Sequence, residues 1–417
     1  MTAADKGVAA GAECATEQDA TEPVMVRGKA GERRPMVIAI VTSIHPDFDA
    51  RVWRHAKLLA ASGHVVHLVA PWSVEPGLGR DGVIFHPFHK PQSRAARLLN
   101  VPRHLLPSLW RILGEVDVVH FHDIDLLPWM TVLALFKPVV YDVHENYPDE
   151  MLVREWIPTL FRRPLAWGVR WGQWCCARII RNIVLVAPSQ EPDFGALGLR
   201  KTYIFNYASL ALIDSAKSDW AQREPRVVFI GAHHENNGSW LLLDIAERLQ
   251  IRAPNIRVIT TGRFFDENFR LQFVEAIGAR GLINVDLLPP VKPPQIMDVL
   301  NQATIAISPN LRVPQQIKGI HTKIFEYMAA GLPIVISDLP HQMEVVARNR
   351  AGLMARPEDV DTFVDAVLRL THDPALALEM GQAGQQAYIS RYSYESQLSD
   401  ILRFYVALIP AKKRVGI

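Results

Sequence analysis

Cysteine is scarce in this chain: Cys14, Cys175 and Cys176 are the three among 417 residues. An odd count with one adjacent pair builds neither a disulfide framework nor the spacing of a zinc site. It suits a reducing, cytoplasmic setting. An excess of one charge is also missing. The chain carries 45 basic and 43 acidic residues, formal net charge +2, which gives no reason to invoke nucleic acid. No uninterrupted apolar run approaches the ~18 residues of a membrane span, so no transmembrane helix is expected. Residues 1–35 lack a basic stretch followed by an apolar one, so they do not read as a signal peptide. Their Ala, Gly, Glu, Asp and Thr without apolar period predict a disordered tail. Glycine is missing where a dinucleotide fold would need it. Val41-Thr42-Ser43-Ile44-His45-Pro46 follows the first apolar run without one, against a nicotinamide dehydrogenase.

What is present is apolar material for two cores, 49% of the chain. Met36 to Ser43 reads as the first strand and Asp49 to Ser62 as a helix closed by Gly63. Strands follow at Val65 to Ala70, Val116 to Phe121, Val139 to His144, Val184 to Ala187 and Tyr203 to Phe205. Residues 207–224 are weakly patterned, as a linker would be. The pattern then restarts with strands at Arg226 to Ile230, Arg257 to Thr260, Asn284 to Leu287, Thr304 to Ser308 and Ile334 to Ser337. Strands alternating with helices imply parallel sheets. The fold class is α/β, with two doubly wound, Rossmann-like domains facing a central cleft.

The most informative stretch runs from His321 to Asp338. It reads as a loop, a short helix, a glycine stop at Gly331 and a buried strand. Lys323 and Glu326 sit three apart and share a helix face, with Ile324, Phe325 and Met328 on the core-seeking side. In an ordinary helix the two would be a solvated pair worth about 0.3 kcal/mol. A helix N-terminus at the edge of such a sheet also suits a phosphorylated ligand.

Lys323-Ile324-Phe325-Glu326-Tyr327-Met328-Ala329-Ala330-Gly331-Leu332-Pro333 resembles the signature of glycosyltransferase family 4, retaining enzymes of the GT-B fold that use nucleotide sugars. The resemblance extends over roughly 36–405, through Asp49-Ala50-Arg51-Val52-Trp53-Arg54, His120-Phe121-His122-Asp123 and Tyr141-Asp142-Val143-His144-Glu145. It implies an acceptor-side domain over 36–210, completed by a returning helix at 390–410, and a donor-binding domain over 222–389. It puts Glu326 on the ribose hydroxyls and His144 against the transferred sugar, the two residues expected to matter most in catalysis. Gly231 and Pro290 would lie near the nucleotide. Asp49, Arg51, His122 and Asp123 are the acceptor-side candidates. Asp49 equally reads as a helix cap with solvated arginines behind it.

Two departures from the family stand out. Lys318 occupies the position where many members carry the first glutamate of a Glu-x7-Glu pattern. The segment Gly231-Ala232-His233-His234-Glu235-Asn236-Asn237-Gly238 lacks the arginine and lysine that often grip the diphosphate. Lys318, Lys323 and Arg263 are therefore the expected cations. Backbone N–H groups from Gly319 through His321 to Thr322 would help them. His120 and His122 share a strand face and could reach one ion. Asp123-Ile124-Asp125 mimics a metal-binding Asp-x-Asp of single-domain glycosyltransferases, which the two-domain pattern does not suggest. The expectation is no cofactor and no metal, only a UDP- or GDP-sugar co-substrate.

Residues 92–114 and 154–182 are basic and tryptophan-rich. They read either as buried helices with solvated arginines or as a surface for the anionic inner membrane face. The expected activity is transfer of a sugar from a nucleotide donor to a glycan or polyprenyl-linked acceptor in cell-surface polysaccharide synthesis. A sugar-nucleotide epimerase of the same fold, or a non-catalytic nucleotide-sugar or glycan binder, are the alternatives.

Overall fold

A computed structural model describes residues 34–90, 100–153, 157–195, 197–217, 219–292, 295–317 and 319–409. Lys318, Arg154, Trp156 and all but the last two residues of the expected tail lie outside them.

The chain forms two sheets. The first contains β1 (Val37–Val41), β2 (Val65–Ala70), β3 (Gly77–Leu78), β4 (Val83–Pro87), β5 (Val118–Phe121), β6 (Val139–Val143), β7 (Asn182–Leu185) and β8 (Arg200–Tyr203). Its order is β3-β4-β2-β1-β5-β6-β7-β8. Every pairing is parallel except β3 with β4. The second contains β9 (Arg226–Ile230), β10 (Arg257–Thr261), β11 (Val285–Leu288), β12 (Ile305–Ser308), β13 (Ile334–Ser337) and β14 (Gly352–Ala355), in the order β11-β10-β9-β12-β13-β14. Near-continuous Val/Ile runs suit strands covered on both faces, and β1, β9, β12 and β13 are buried almost throughout. The order reverses at β1/β5 and at β9/β12, where doubly wound sheets open a crevice at their carboxyl ends.

Five differences from the sequence expectation have local causes. The strand expected at Val184 to Ala187 starts earlier, at Asn182, whose amide donates to the Val139 and Ile180 carbonyls. The strand expected at Tyr203 to Phe205 is Arg200–Tyr203, a polar edge strand without an apolar run. The sequence expectation also omits β3, β4 and β14, which lie among glycines and prolines.

The helix Thr322–Ala329 is fixed on all sides. Gly331 adopts φ +67°, and the Leu332 N–H donates to the Tyr327 carbonyl at 3.1 Å, closing the helix as expected. The Tyr327 hydroxyl accepts from the Ile230 N–H at 3.0 Å and donates to the Ile307 carbonyl at 3.1 Å. The helix is thereby pinned to β9 and β12.

The returning segment breaks at Ser393, and the helix Leu398–Leu408 packs on the first sheet. Tyr394, Ile401, Phe404, Tyr405 and Leu408 join Ile38, Ile40 and Val52 in one core. Each such side chain contributes about 1.5–3 kcal/mol by burial. His55 bonds both tyrosines, Nδ1 to Tyr394 at 2.9 Å and Nε2 to Tyr405 at 2.7 Å. The connecting stretch is tied as well: Glu395 accepts from the Ser209 hydroxyl and the Leu210 N–H, both at 2.7 Å.

Candidate functional site

On the second sheet, the loops after β9, β10 and β11 meet the N-terminus of the helix Thr322–Ala329. They enclose a cleft of about 740 Å³ of empty space. Gly231, Arg263, Pro290, Thr322 and Glu326 line it. Glycine is required at its floor: a Cβ on Gly262 would fall 1.5 Å from the Gly231 carbonyl oxygen, and Gly231 has φ +114°.

Lys323 stands behind this floor, its Cε 4.0 Å from where a Cβ on Gly231 would fall, and it is not half of a solvated pair. It is buried, 6% exposed, with Nζ 4.1 Å from the centroid of the Phe229 ring. Its Nζ has no hydrogen-bond partner among the described residues. Burial pushes the ammonium down to about 7, the charge of Glu326 opposing only in part. Burial also raises the Glu326 carboxyl, against the charges of Arg54 and Lys323. His321 is lowered to about 3 by burial and by Lys323, and its Nε2 lacks a partner among the described residues. No side chain caps the helix N-terminus, so its first N–H groups remain available to a ligand. The expectation of one polar and one core-seeking face is corrected here: Lys323, Ile324, Phe325, Tyr327, Met328 and Ala329 are all buried. A short helix wedged between β9, β12 and the returning segment has almost no solvent face. Thr322 also borders a second cavity of about 710 Å³, shared with Gly319, Ile320, Phe325 and His341 and with Ser189, Asn206 and Tyr207 of the first half. Sequence reasoning missed that wall.

On the first sheet, His144 follows β6 and is partly buried. Its Nδ1 lies 3.3 Å from the Asp142 carbonyl oxygen and its Nε2 3.1 Å from His45 Nε2. Asp49 caps the first helix, accepting from the Arg51 and Val52 N–H groups. Arg51, His122 and Asp123 had been expected to face an acceptor, and this is corrected. Arg51 is buried and saturated. It donates to both Asp142 oxygens at 2.7 and 3.0 Å, to the Ile204 carbonyl and to Asn206. His122 and Asp123 are fully buried. Asp123 accepts from the Thr42 hydroxyl and the Ser43 N–H, both at 2.6 Å.

His120, His122 and Asp142 cluster closely enough to hold an ion, but two of the three are already engaged, the ring nitrogens of His122 alone lacking a hydrogen-bond partner among the described residues. His120 Nε2 is 3.1 Å from Asp142 Oδ2 and its Nδ1 is bonded to the Tyr405 hydroxyl. Both Asp142 oxygens hold the guanidinium. Burial would raise the Asp142 carboxyl, yet Arg51, then His122 and His120, hold it well below the usual carboxylate range. A cation there would sit against Arg51. The residues do not fit a metal.

The surface of the first half carries a different feature. The helix Thr159–Ile180 buries only Ala166, Gln173, Ala177 and Ile180 among its described residues. Leu160, Phe161, Trp167 and Trp171 are exposed, as are Trp110 within the first basic segment and Phe136 between the two. The alternative of buried helices is thus corrected for these aromatics. No described helix is long and apolar enough to cross a membrane.

Two family models match the chain: "Glycosyltransferase Family 4" over residues 50–191 and "Glycosyl transferases group 1" over 224–373. A phosphatidyl-myo-inositol mannosyltransferase of Mycolicibacterium smegmatis is 24% identical over 379 residues, covering 88% of this chain and 92% of that protein. A GDP-mannose:cellobiosyl-diphosphopolyprenol alpha-mannosyltransferase of Xanthomonas campestris is 21% identical, covering 73% and 78%. Among solved structures, sucrose-phosphate synthase of Thermosynechococcus elongatus superposes with TM-score 0.67 at 15% identity, covering 89% and 99%. An Anabaena protein solved with UDP and glucose gives 0.63 at 14% identity, covering 89% and 100%.

Proposed function

The chain belongs to glycosyltransferase family 4 and has the GT-B fold, and from that premise we propose how it holds its substrates. The donor is a nucleotide sugar seated in the cleft after β9, β10 and β11. Glu326 accepts from the ribose hydroxyls. Lys323 and the uncapped N–H groups of Thr322–Ala329 meet the diphosphate, and His144 meets the transferred sugar across the cleft. Arg263, which lines the cleft, adds charge there, and Lys318 is kept as a cation candidate on its sequence position alone.

The observation that carries this reading is Lys323, a buried cation with an unpartnered Nζ beside the cleft floor. An unpaired buried ammonium is costly unless something supplies its partner. A diphosphate arriving at the same helix N-terminus would do so, with charge-assisted bonds and the helix dipole adding to the attraction. Developing charge on the leaving diphosphate would then be held by fixed groups rather than by a metal. With the departing phosphate itself as base, the sugar would be transferred with retention, and the protein would hold groups in place more than exchange protons.

Curated relatives named as mannosyltransferases, one of them naming GDP-mannose, make a GDP-linked hexose the donor to test first. The same names make a lipid-linked acceptor the class to try. The exposed Leu160, Phe161, Trp167 and Trp171 on a helix that also carries Arg162, Arg163, Arg170 and Arg178 support attachment to an anionic membrane face. Flotation with anionic vesicles tests this. Absence from the lipid fraction would remove the attachment.

A thermal-shift screen of UDP-, GDP- and dTDP-sugars on wild type and Glu326→Ala tests the donor site. A ligand at 100 times its dissociation constant adds about 2.7 kcal/mol of stability. One nucleotide class should stabilise the wild type. Loss of a hydrogen bond to a charged group costs about 1.5–3 kcal/mol, so Glu326→Ala should bind it roughly 10- to 100-fold more weakly. Stabilisation without release of nucleoside diphosphate, with any acceptor, would favour a non-catalytic binder. Conversion of the donor without acceptor would favour an epimerase.

A further inference from the structure

The loop between β1 and the first helix carries a histidine to which neither the family motif nor local sequence pattern gives a role. His45 lies between a carboxylate and the sugar-facing imidazole. Its Nδ1 is 3.4 Å from Asp49 Oδ2, and its Nε2 is 3.1 Å from His144 Nε2 and 3.4 Å from Asp123 Oδ1. The loop is held in place: the His45 N–H donates to Thr42 Oγ1, the Trp72 indole donates to the His45 carbonyl, and the Asp49 N–H donates to the Pro46 carbonyl. The two rings lie 4.9 Å apart between centroids.

The proton positions follow from these contacts. A contact between two imidazole nitrogens is attractive only when one donates and the other accepts. His144 Nδ1 faces the Asp142 carbonyl oxygen at 3.3 Å, an acceptor, so the proton of neutral His144 belongs on Nδ1. Its Nε2 must then accept, and His45 Nε2–H must donate. The other nitrogen of His45 faces the Asp49 carboxylate, which calls for a second proton. The geometry asks for His45 as imidazolium and His144 as the neutral Nδ1–H tautomer.

The surrounding charges agree. Burial pulls His45 down, but the Asp49 hydrogen bond and the charges of Asp123, Asp49 and Glu145 hold it above its ordinary value. Burial lowers His144, with Arg51 and His45 adding to it against Asp142 and Asp123. His122 and Tyr147 complete the ring contacts, His122 to both histidines and Tyr147 to His144.

We propose that His45 is a positioning residue for His144: its Nε2–H fixes the tautomer and orientation of the sugar-facing imidazole, with Asp49 anchoring His45 from behind. This rests on the placement of His144 against the sugar given above. As pH rises and the pair loses its shared proton, neutral His45 keeps one hydrogen and cannot serve both Asp49 and His144. The orientation of His144 is then lost. Because His45 is raised, this loss begins above the ordinary histidine value.

The test uses the full chain with GDP-mannose and UDP-glucose, reading released nucleoside diphosphate across pH, together with ring-nitrogen NMR of 15N-histidine-labelled protein. Wild-type kcat should fall on the alkaline side. Glutamine donates at any pH, so His45→Gln should keep kcat within about tenfold, one factor of 1.4 kcal/mol, and lose that alkaline fall. His45→Ala should lower kcat at all pH values with donor KM nearly unchanged. In the NMR spectrum His144, assigned by its absence from His144→Ala, should be the Nδ1–H tautomer near neutral pH and shift toward Nε2–H in His45→Ala. Equal behaviour of the Gln and Ala variants, with the wild-type pH profile intact and the tautomer unmoved, would overturn the inference. If His144→Ala itself leaves activity unchanged while the tautomer responds to His45, the sugar-contact reading fails and the coupling between the rings stands.

Discussion

The ends of the two sheets treat their buried cations in opposite ways. After β1, β5 and β6 the protein supplies Arg51 with its partners, although both ring nitrogens of His122 and Asp123 Oδ1 lack hydrogen bonds among the described residues. Arg51 grips Asp142 with two bonds, His120 and Tyr405 continue the chain, and Asp123 is bonded to Thr42 and Ser43. After β9, β10 and β11 it withholds them: Lys323 Nζ and His321 Nε2 lack partners among the described residues, and the helix starting at Thr322 has no side-chain cap. The Arg51 guanidinium is scaffold, because the protein itself already occupies it. An unpartnered buried ammonium is costly, and the place of Lys323 behind the donor cleft marks where an anionic ligand completes the structure.

The sharpest way to break this comparison is to unbalance the saturated side. Arg51→Ala leaves the Asp142 carboxylate buried without its guanidinium, and breaking a buried pair costs about 3–5 kcal/mol. A denaturant titration should show a loss of that order, with no specific effect on donor affinity in the protein that remains folded. A mild loss would mean that Arg51 is not the keystone of this network.

On the unsatisfied side the sign reverses. Lys323 has a folded value of about 7 against an ordinary 10.5. The folded state therefore binds fewer protons than the unfolded state between those values. Stability contributed by this residue is lowest below about pH 7 and rises with pH through the window. At low pH the cost is on the order of 4 kcal/mol, reduced by attraction to the Phe229 ring. Lys323→Met should stabilise the unliganded protein at pH 6, flatten the rise toward pH 10, and weaken donor binding. A variant that destabilises the free protein would contradict the account.

The smallest effect in stability is expected at the surface. Trp167→Ser with Trp171→Ser should change unfolding free energy by roughly 0.5 kcal/mol or less, as exposed substitutions do, while reducing recovery with anionic vesicles. Unchanged vesicle binding would separate these aromatics from membrane attachment.

How far the sequence could be read depended on whether the cause was local. The buried runs Val65–Ala70, Arg226–Ile230 and Ile334–Ser337 form strands at the limits their apolar runs suggest, and Gly331 ends its helix for the conformational reason expected of it. The strand β8 was displaced because edge strands need no apolar run. The residues gathered around the donor cleft (Gly231, Arg263, Pro290, Thr322 and Glu326) could be named from motif and strand ends together. The state of Lys323 could not, since its burial depends on Phe229, far away in the chain. Arg51 looked solvated because its partner Asp142 stands 91 positions away. His45 gave no signal at all: its meaning comes from His144, 99 residues on.

The central claim is that Lys323 is an ammonium waiting for a diphosphate. Titration calorimetry of an intact sugar nucleotide at pH 8, in two buffers of different ionisation enthalpy, tests it most directly. The account predicts uptake approaching one proton per donor bound by the wild type, because binding returns Lys323 to its charged form, and no uptake by Lys323→Met. Equal affinity of the two proteins, with no proton taken up by either, would contradict it.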